Sequence, residues 1–233
     1  MELWTSRRGP FLAAFSKRGA APPESASPTA HLARRLAEAI GHPAIPIARA
    51  AQIHGKEVLA VRGALEAGET REIGRGDVLV TSREGIALVV QTADCVPILL
   101  FGGSGVAAIH AGWRGTAAGA AAEGVRALAR ESGEAPSSFS AVLGPAIGAC
   151  CYEVGGDVAA AFAGEFVRRA CGGKFRADLK AANRAQLESE GVLPENIDVL
   201  PFCTRCGGAH LASYRRDGAA AGRMIGLVAR IAS

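Results

Sequence analysis

The strongest constraint on how this chain folds lies between residues 86 and 110. Three β-rich apolar runs, 86–90, 96–101 and 106–110, follow one another closely, and a Gly-Gly-Ser-Gly turn at 102–105 joins the last two. Short runs of this kind, bounded by turn residues, read as strands of a sheet. Folded as an antiparallel hairpin, the last two strands bring Cys95, just before one, and His110, which closes the next, to the same sheet edge. The region is interrupted by Gln91, Thr92, Asp94 and the turn, so it does not form an unbroken apolar membrane span of ~20 residues.

Around this centre the pattern predicts further strands at 45–48, 58–61, 78–81, 139–143, 197–200 and 211–214. Leu32, Leu36 and Ile40 recur at helical spacing behind Thr29 as N-cap, with Gly41 as the stop. Helices are also predicted at 115–130, 156–170, 178–190 and 221–231. Pro22, Pro23 and Pro28 among Ala and Ser make 18–29 a mobile loop. With no internal repeat and no convincing boundary, residues 1–233 are expected to form one α+β domain with a mixed sheet.

Composition narrows the function classes. A net charge of +4, carried by dispersed basic residues, suits anionic small molecules such as phosphates. No Lys/Arg run is interleaved with stacking aromatics, which argues against nucleic acid. The first fifteen residues hold no apolar stretch of the signal-peptide kind, so a cytoplasmic chain is expected. In a reducing compartment the six cysteines are thiols or metal ligands rather than disulfides.

Reactive side chains gather in three segments of small neighbours: Gln52-Ile53-His54-Gly55, Gln91-Thr92-Ala93-Asp94-Cys95-Val96-Pro97, and Ile109-His110-Ala111-Gly112-Trp113-Arg114-Gly115. Adding His54 to the Cys95 and His110 edge gives three zinc-type ligands, with the fourth tetrahedral position left for water or substrate. Two other readings use the same residues. Cys95 is a nucleophile whose thiolate is stabilised by His110 or His54, or it is a small core residue beside hydrogen-bonded core histidines. Spacing does not separate the three.

Arg114 lies in the turn before a predicted helix. Gly112 and Gly115 would let backbone N–H groups approach a ligand, and the arginine with the helix N-terminus suits a phosphate or carboxylate. A tight turn with a solvated arginine is the plainer alternative. Further on, Gly144-Pro145-Ala146-Ile147-Gly148 reads as a constrained loop, with adjacent Cys150 and Cys151 close behind. Cys203 and Cys206 have redox or half-zinc-site spacing; a complete four-cysteine zinc site with Cys150 and Cys151 is an alternative that the sequence does not support, so Cys203 and Cys206 are taken as structural thiols. Arg215 and Arg216 beside a turn read as a surface salt-bridge cluster.

Together these segments resemble the YfiH family, whose members have been called polyphenol oxidoreductases or laccases, purine nucleoside phosphorylases, and peptidoglycan editing factors. The resemblance rests on Thr-Ala-Asp-Cys (92–95) followed by His-Ala-Gly-Trp-Arg-Gly (110–115). Gln52 to Gly55, Gly144 to Tyr152, Ser213 to Arg216 and Gly222-Arg223 support it, over about residues 45–223. It implies mixed β-sheets in a sandwich flanked by helices, like a group of cysteine-histidine hydrolases. It also implies a zinc held by His54, Cys95 and His110, with copper able to replace it.

The implied reactions are phosphorolysis of adenosine, inosine and methylthioadenosine, and deamination of adenosine to inosine. The implied partners are a purine nucleoside and phosphate, acted on by a monomer. Cys95, His110, His54 and Asp94 would be the catalytic set, Asp94 as an orienting group or proton carrier. Arg114 would bind phosphate, Trp113 would stack on the purine or pack at the strand–helix corner, and Arg18 would reach the site from the N-terminal motif. That motif departs from the family: Phe15-Ser16-Lys17-Arg18-Gly19 matches its start, but Ala20 and the Pro-rich stretch replace the rest. A peptidoglycan-precursor editing hydrolase is the rival function. A multicopper oxidase needs far more imidazoles than the five histidines present, two of which, His31 and His42, flank an ordinary helix.

Overall fold

Most of the long strands alternate their side chains between two apolar layers rather than between core and solvent, and this decides the architecture. The structure, a computed structural model, describes residues 2–19 and 28–231. It begins with a hairpin that the sequence does not announce, β1 (Glu2–Arg8) and β2 (Phe11–Ser16), followed by helix α1 (Pro28–Ala39). Next come β3 (Ile47–Ala51), β4 (Val58–Ala60), β5 (Thr70–Arg75), β6 (Val78–Thr81), β7 (Ala87–Thr92), β8 (Val96–Gly102) and β9 (Gly105–Ala111). Helices α2 (Trp113–Ala118) and α3 (Ala120–Ser132) lead to β10 (Ser140–Leu143), β11 (Glu153–Val154) and α4 (Gly156–Ala159). The chain continues through β12 (Val167–Arg169), β13 (Phe175–Ala177), α5 (Leu179–Ser189), β14 (Ile197–Val199), α6 (Tyr214–Asp217) and β15 (Met224–Arg230).

The strands form two six-stranded mixed sheets, ordered β1-β2-β15-β7-β3-β5 and β14-β10-β8-β9-β6-β4, and a small sheet β11-β13-β12. The predicted hairpin is the centre of the second sheet: β8 and β9 run antiparallel, with Pro97 opposite His110 and Gly102 opposite Gly105. Leu88, Val90, Leu99, Phe101 and Val106 fill the layer between the sheets. Leu32 and Leu36 of α1 cover the outer face of the first sheet, over Ile47 and Val89. Val125 and Leu128 of α3 and Leu187 of α5 cover the outer face of the second, over Ile98, Leu100 and Ile109. The result is an α+β sandwich of four layers, helix, sheet, sheet, helix, as expected.

Local departures have physical causes. Residues 221–231, expected as a helix, are largely β15, paired antiparallel with β2 and β7 and buried on both faces. A strand with two apolar faces loses the period-two signature, and burial overrides the helix propensity of residues such as Met224, Leu227 and Ala229. The helix expected over 156–170 reduces to α4 and then β12. Its side chains are mostly exposed or half-buried, so no apolar face exists to hold a long helix. Leu211 and Ala212, expected in a strand, are buried without one, and Ser213 caps α6 by accepting from Arg216 N. The helix expected over 115–130 is split at Gly119, which adopts φ 87° to end α2 and open α3. Thr29 lies inside α1 rather than at its cap, with its hydroxyl bonded to Gln91 of β7. The predicted mobile loop, 18–29, falls largely outside the described residues. Among the described residues no helix is long and apolar enough to cross a membrane.

Phe15 locks the two sheets together. Its ring is 1% exposed, and a Cβ added at Gly144, beyond β10, would lie 2.4 Å from one ring atom. Phe15→Ala should cost about 3–5 kcal/mol in urea unfolding, and Gly144→Ala about 1–3 kcal/mol through overpacking. Because both effects depend on the same contact, the Gly144→Ala penalty should largely vanish in the Phe15→Ala background; strictly additive penalties would disprove the contact's role.

Candidate metal centre and active-site cavity

Two chain crossings between the sheets build the site. Leaving β7 of the first sheet, the chain passes through Ala93-Asp94-Cys95 and enters β8 of the second. Leaving β3 of the first sheet, it passes through residues 52–57, which contain His54, and enters β4 of the second. His110 is the penultimate residue of β9, opposite Pro97. One ligand atom from each of His54, Cys95 and His110 lies within 4.8 Å of the others. The two imidazoles meet edge to face with centroids 4.9 Å apart.

Asp77, just before β6, organises this group. It is 1% exposed, and its Oδ1 lies 2.7 Å from His110 Nδ1. The same carboxylate accepts hydrogen bonds from three successive backbone N–H groups, those of Ile53, His54 and Gly55. Those bonds hold the His54 loop in a tight turn in which His54 itself adopts φ 63°, a left-handed conformation unusual for a residue with a Cβ. With Nδ1 engaged by Asp77, His110 presents Nε2 to Cys95 and to any ion bound there.

The electrostatics follow from burial opposed by pairing. Burial alone would raise the Cys95 thiol, but hydrogen bonds from His110 and His54, with their charges, bring it down to about 6. Burial alone would lower His110, but its hydrogen bonds to Asp77 and Cys95, and their negative charges, raise it to about 9. Burial likewise works to raise Asp77, and the bonds from His110 and the 54–55 backbone leave it below the usual carboxylate range. Without a metal, the pair is a thiolate beside an imidazolium between about pH 6 and 9. That supports the metal-ligand and nucleophile readings of Cys95 over the inert-core reading.

The glycines of the His110 motif have a different purpose from the one their sequence suggests. A Cβ on Gly112 would lie 2.9 Å from Cys95 Sγ and 3.2 Å from His54 Cδ2, and one on Gly115 would lie 2.8 Å from the carbonyl oxygen of Gly55. They let the backbone pass close behind the ligands, so the clearance they provide serves the protein's own chain.

His54, Cys95 and His110 all line a cavity of about 490 Å³. Trp113 and Arg114 are on its wall, with the Arg114 guanidinium stacked 4.4 Å from the centre of the Trp113 ring. Asp94 also lines it, at φ 92°, but both its carboxylate oxygens are occupied: Oδ1 accepts from Thr204 Oγ1 at 2.5 Å and Oδ2 from Arg215 N at 2.6 Å. Arg18 is not on the cavity wall. It donates to Asp217 at the end of α6 and to the carbonyl oxygen of Ala220.

Sequence reasoning missed Asp77 and undervalued Tyr152, Arg215 and Arg223. An isolated acid between Gly76 and the apolar run of β6 was the available signal for Asp77. Tyr152 is 8% exposed, carries the Arg215 guanidinium over its ring at 5.0 Å, and is pushed up to about 12 by burial. Arg215 and Arg223 reach the cavity, whereas Arg216 is spent on Asp217 and on backbone carbonyls of residues 204–211. Thr92, 2% exposed on the cavity wall, has a hydroxyl with no hydrogen-bond partner among the described residues. The fold also brings Cys150, Cys151, Cys203 and Cys206 together, which the spacing gave no reason to expect.

A family model described as multi-copper polyphenol oxidoreductase laccase matches residues 23–231. Purine nucleoside phosphorylase YlmD of Geobacillus stearothermophilus is 35% identical over 210 residues, covering 84% of this chain and 77% of that protein. Adenosine deaminase RL5, from an unknown prokaryotic organism, is 41% identical over 156 residues, covering 63% of this chain and 59% of that one. Among solved structures, the hypothetical protein YfiH of Bacillus licheniformis superposes with a TM-score of 0.83 at 28% identity, covering 94% of this chain and 92% of that one.

Three outcomes follow from the geometry. In chelator-treated protein, alkylation of Cys95 should rise with pH around a midpoint near 6 rather than the ordinary thiol value. Asp77→Asn should move that midpoint upward, since His110 loses the carboxylate that keeps it charged and the thiolate loses its counter-charge; an unmoved midpoint would refute the coupling. If the three-residue group holds a metal ion, Gly112→Ala should weaken its binding by about 10–100-fold, the range for disturbed support of a metal ligand, as read with added zinc in competition with a chromophoric chelator.

Proposed function

The chain belongs to the YfiH family, the family described as multi-copper polyphenol oxidoreductase laccase, and on that premise we propose that it is a zinc-dependent purine nucleoside phosphorylase that also deaminates adenosine, with residues 1–233 acting as one catalytic domain. The observation that carries this reading is a three-ligand group, His54, Cys95 and His110, lining a nucleoside-sized cavity edged by Arg114, Arg215 and Arg223. The names of the relatives, a phosphorylase and a deaminase, support it.

The residues present fit a single zinc ion. Two imidazoles and a thiolate are a zinc donor set, and Asp77 fixes the tautomer of His110 as outer partners of zinc-bound histidines do. A laccase-type copper array is not supported by the donors: among the described residues, His31, His42 and His210 belong to no group able to hold a metal. Zinc bound here would act as a Lewis acid and lower the pKa of water.

The chain's own residues supply the rest. Arg114, Arg215 and Arg223 give the cavity a cationic rim for phosphate, whose oxygen would attack C1′ of the ribose as the bond to the purine nitrogen breaks. Trp113, one face already covered by Arg114, and the buried Tyr152 form the aromatic surface for the base. The Thr92 hydroxyl, unpaired among the described residues, is available to a polar ligand atom. Asp94, with both oxygens occupied, positions Arg215 and the strand entry at Cys95 rather than carrying a proton. Arg18 acts through its ion pair with Asp217, which steadies α6 beneath Tyr214 and Arg215.

The test is to incubate zinc-loaded protein with phosphate and adenosine, inosine or methylthioadenosine, and follow free base and ribose 1-phosphate chromatographically. Cys95→Ala should lower turnover by more than about a hundredfold, beyond the usual effect of losing an outer partner. Arg114→Ala should raise the phosphate KM by about tenfold or more, the worth of one charged hydrogen bond, with a smaller change in kcat. Product formation unaffected by Cys95→Ala would overturn the proposal. A wild-type protein that forms no product but releases an amino acid from a peptidoglycan precursor would replace it with the editing hydrolase.

A further inference from the structure

Away from the three-ligand group, the chain gathers a second set of soft ligands. We propose that Cys150, Cys151, Cys203 and Cys206 form a four-thiolate structural zinc site that fastens together two loops of the cavity wall. The four sulfurs all lie within 4.8 Å of one another. Cys150 Sγ and Cys206 Sγ are 3.7 Å apart. A tetrahedron with Zn–S bonds of ~2.3 Å has edges of about 3.8 Å, whereas a disulfide requires about 2.05 Å. The spacing is that of thiolates around an ion.

The backbone is arranged for the same purpose. The two loops are tied by a bridge between Ala146 and Cys203, with Thr204 N–H donating to the Ala146 carbonyl at 3.0 Å. Gly148 N–H points at Cys203 Sγ, 3.3 Å away, a contact that favours the thiolate. Cys203-Thr204-Arg205-Cys206-Gly207 turns back on itself through Gly207 N–H to the Cys203 carbonyl at 2.7 Å. A Cβ on Gly207 would lie 2.4 Å from that carbonyl oxygen, so only glycine closes the turn that sets both sulfurs on one side. Cationic groups surround the cluster: Arg176 donates to the Cys150 carbonyl, Arg205 to that of Cys151, and Lys180 Nζ to those of Leu200 and Phe202. They would offset the net negative charge of a four-thiolate zinc centre.

The region also needs a fastening. Between β14 and α6 the chain forms no named strand or helix; Leu200 and Phe202 anchor its start on the layer between the sheets, while Leu211 and Ala212 pack in a small cluster with Met224 of β15. In such segments a bound ion contributes folding energy that a core would otherwise supply. Each loop reaches the cavity one residue from a thiol: Tyr152 follows Cys151 and lines the wall, and Thr204 follows Cys203 and holds Asp94. The site stands apart from the nucleoside chemistry, because Cys95 belongs to the other group.

The experiment uses Cys95→Ala protein, in which the three-ligand site is disabled, purified without chelator. Elemental analysis should find about one zinc per chain, and adding Cys203→Ser with Cys206→Ser should remove it. Because the triple variant can fail to fold, cobalt substitution of the Cys95→Ala protein gives an independent reading: the intense absorption of tetrahedral four-thiolate cobalt is expected. Zinc at trace level, zinc retained after both serine substitutions, a cobalt spectrum without thiolate charge transfer, or an intact mass two hydrogens light from a Cys150–Cys206 disulfide would each overturn the proposal.

Discussion

Asp77 is the group on which the rest of the site depends. A carboxylate buried at the start of an inner strand is costly unless its charge is fully satisfied, and here it is satisfied by elements that must then stay in place. Three N–H groups of the His54 loop and the His110 ring converge on its two oxygens. Satisfying one charge therefore sets the backbone of one ligand and the ring orientation of another. The third donor side chain, Cys95, is brought in by its position at the entry to β8, beside the end of the partner strand that carries His110. The folded chain thus prepares the donor set before any ion is considered.

Strain is stored where the ligands sit. Among the described residues, His54 and Asp94 are the two positive-φ positions that are not glycine. Both lie on crossings between the sheets, and both are held by hydrogen bonds that would be lost if the backbone relaxed. Such conformations cost of order 1–3 kcal/mol each and persist because the sheets on either side fix the ends of each crossing.

How much was legible in the sequence follows from the range of the interactions involved. The β8–β9 hairpin and its gathering of Cys95 and His110 are local, set by a short turn and two continuous apolar runs, and they read directly. His54 and Arg114 followed from motif and resemblance. Asp77 and the convergence of Cys150 and Cys151 on Cys203 and Cys206 depend on contacts between distant segments, over fifty residues apart for the thiols, which no periodicity encodes. β15 was hidden by its own burial, since a strand apolar on both faces resembles a short helix in composition. Gly112 and Gly115 were recognised as places of close approach, but the atoms approached turned out to belong to the protein. Arg215 and Arg216 look alike in sequence; α6 turns one toward the cavity and consumes the other on carbonyl groups.

The crossings make the metal centre a gauge of how the two sheets are aligned. His54 follows a strand of one sheet, His110 lies near the end of a strand in the other, and Cys95 sits on the chain that passes between them. Sliding one sheet past the other by a single residue, about 3.3 Å, would carry the two imidazoles out of common reach of an ion. The side chains that set this alignment, Leu88, Leu99 and Phe101 in the inner layer, are absent from the cavity wall. Alterations there would be felt as a misfit among the three donor side chains, so the geometry of the cavity is answerable to packing through the whole thickness of the core.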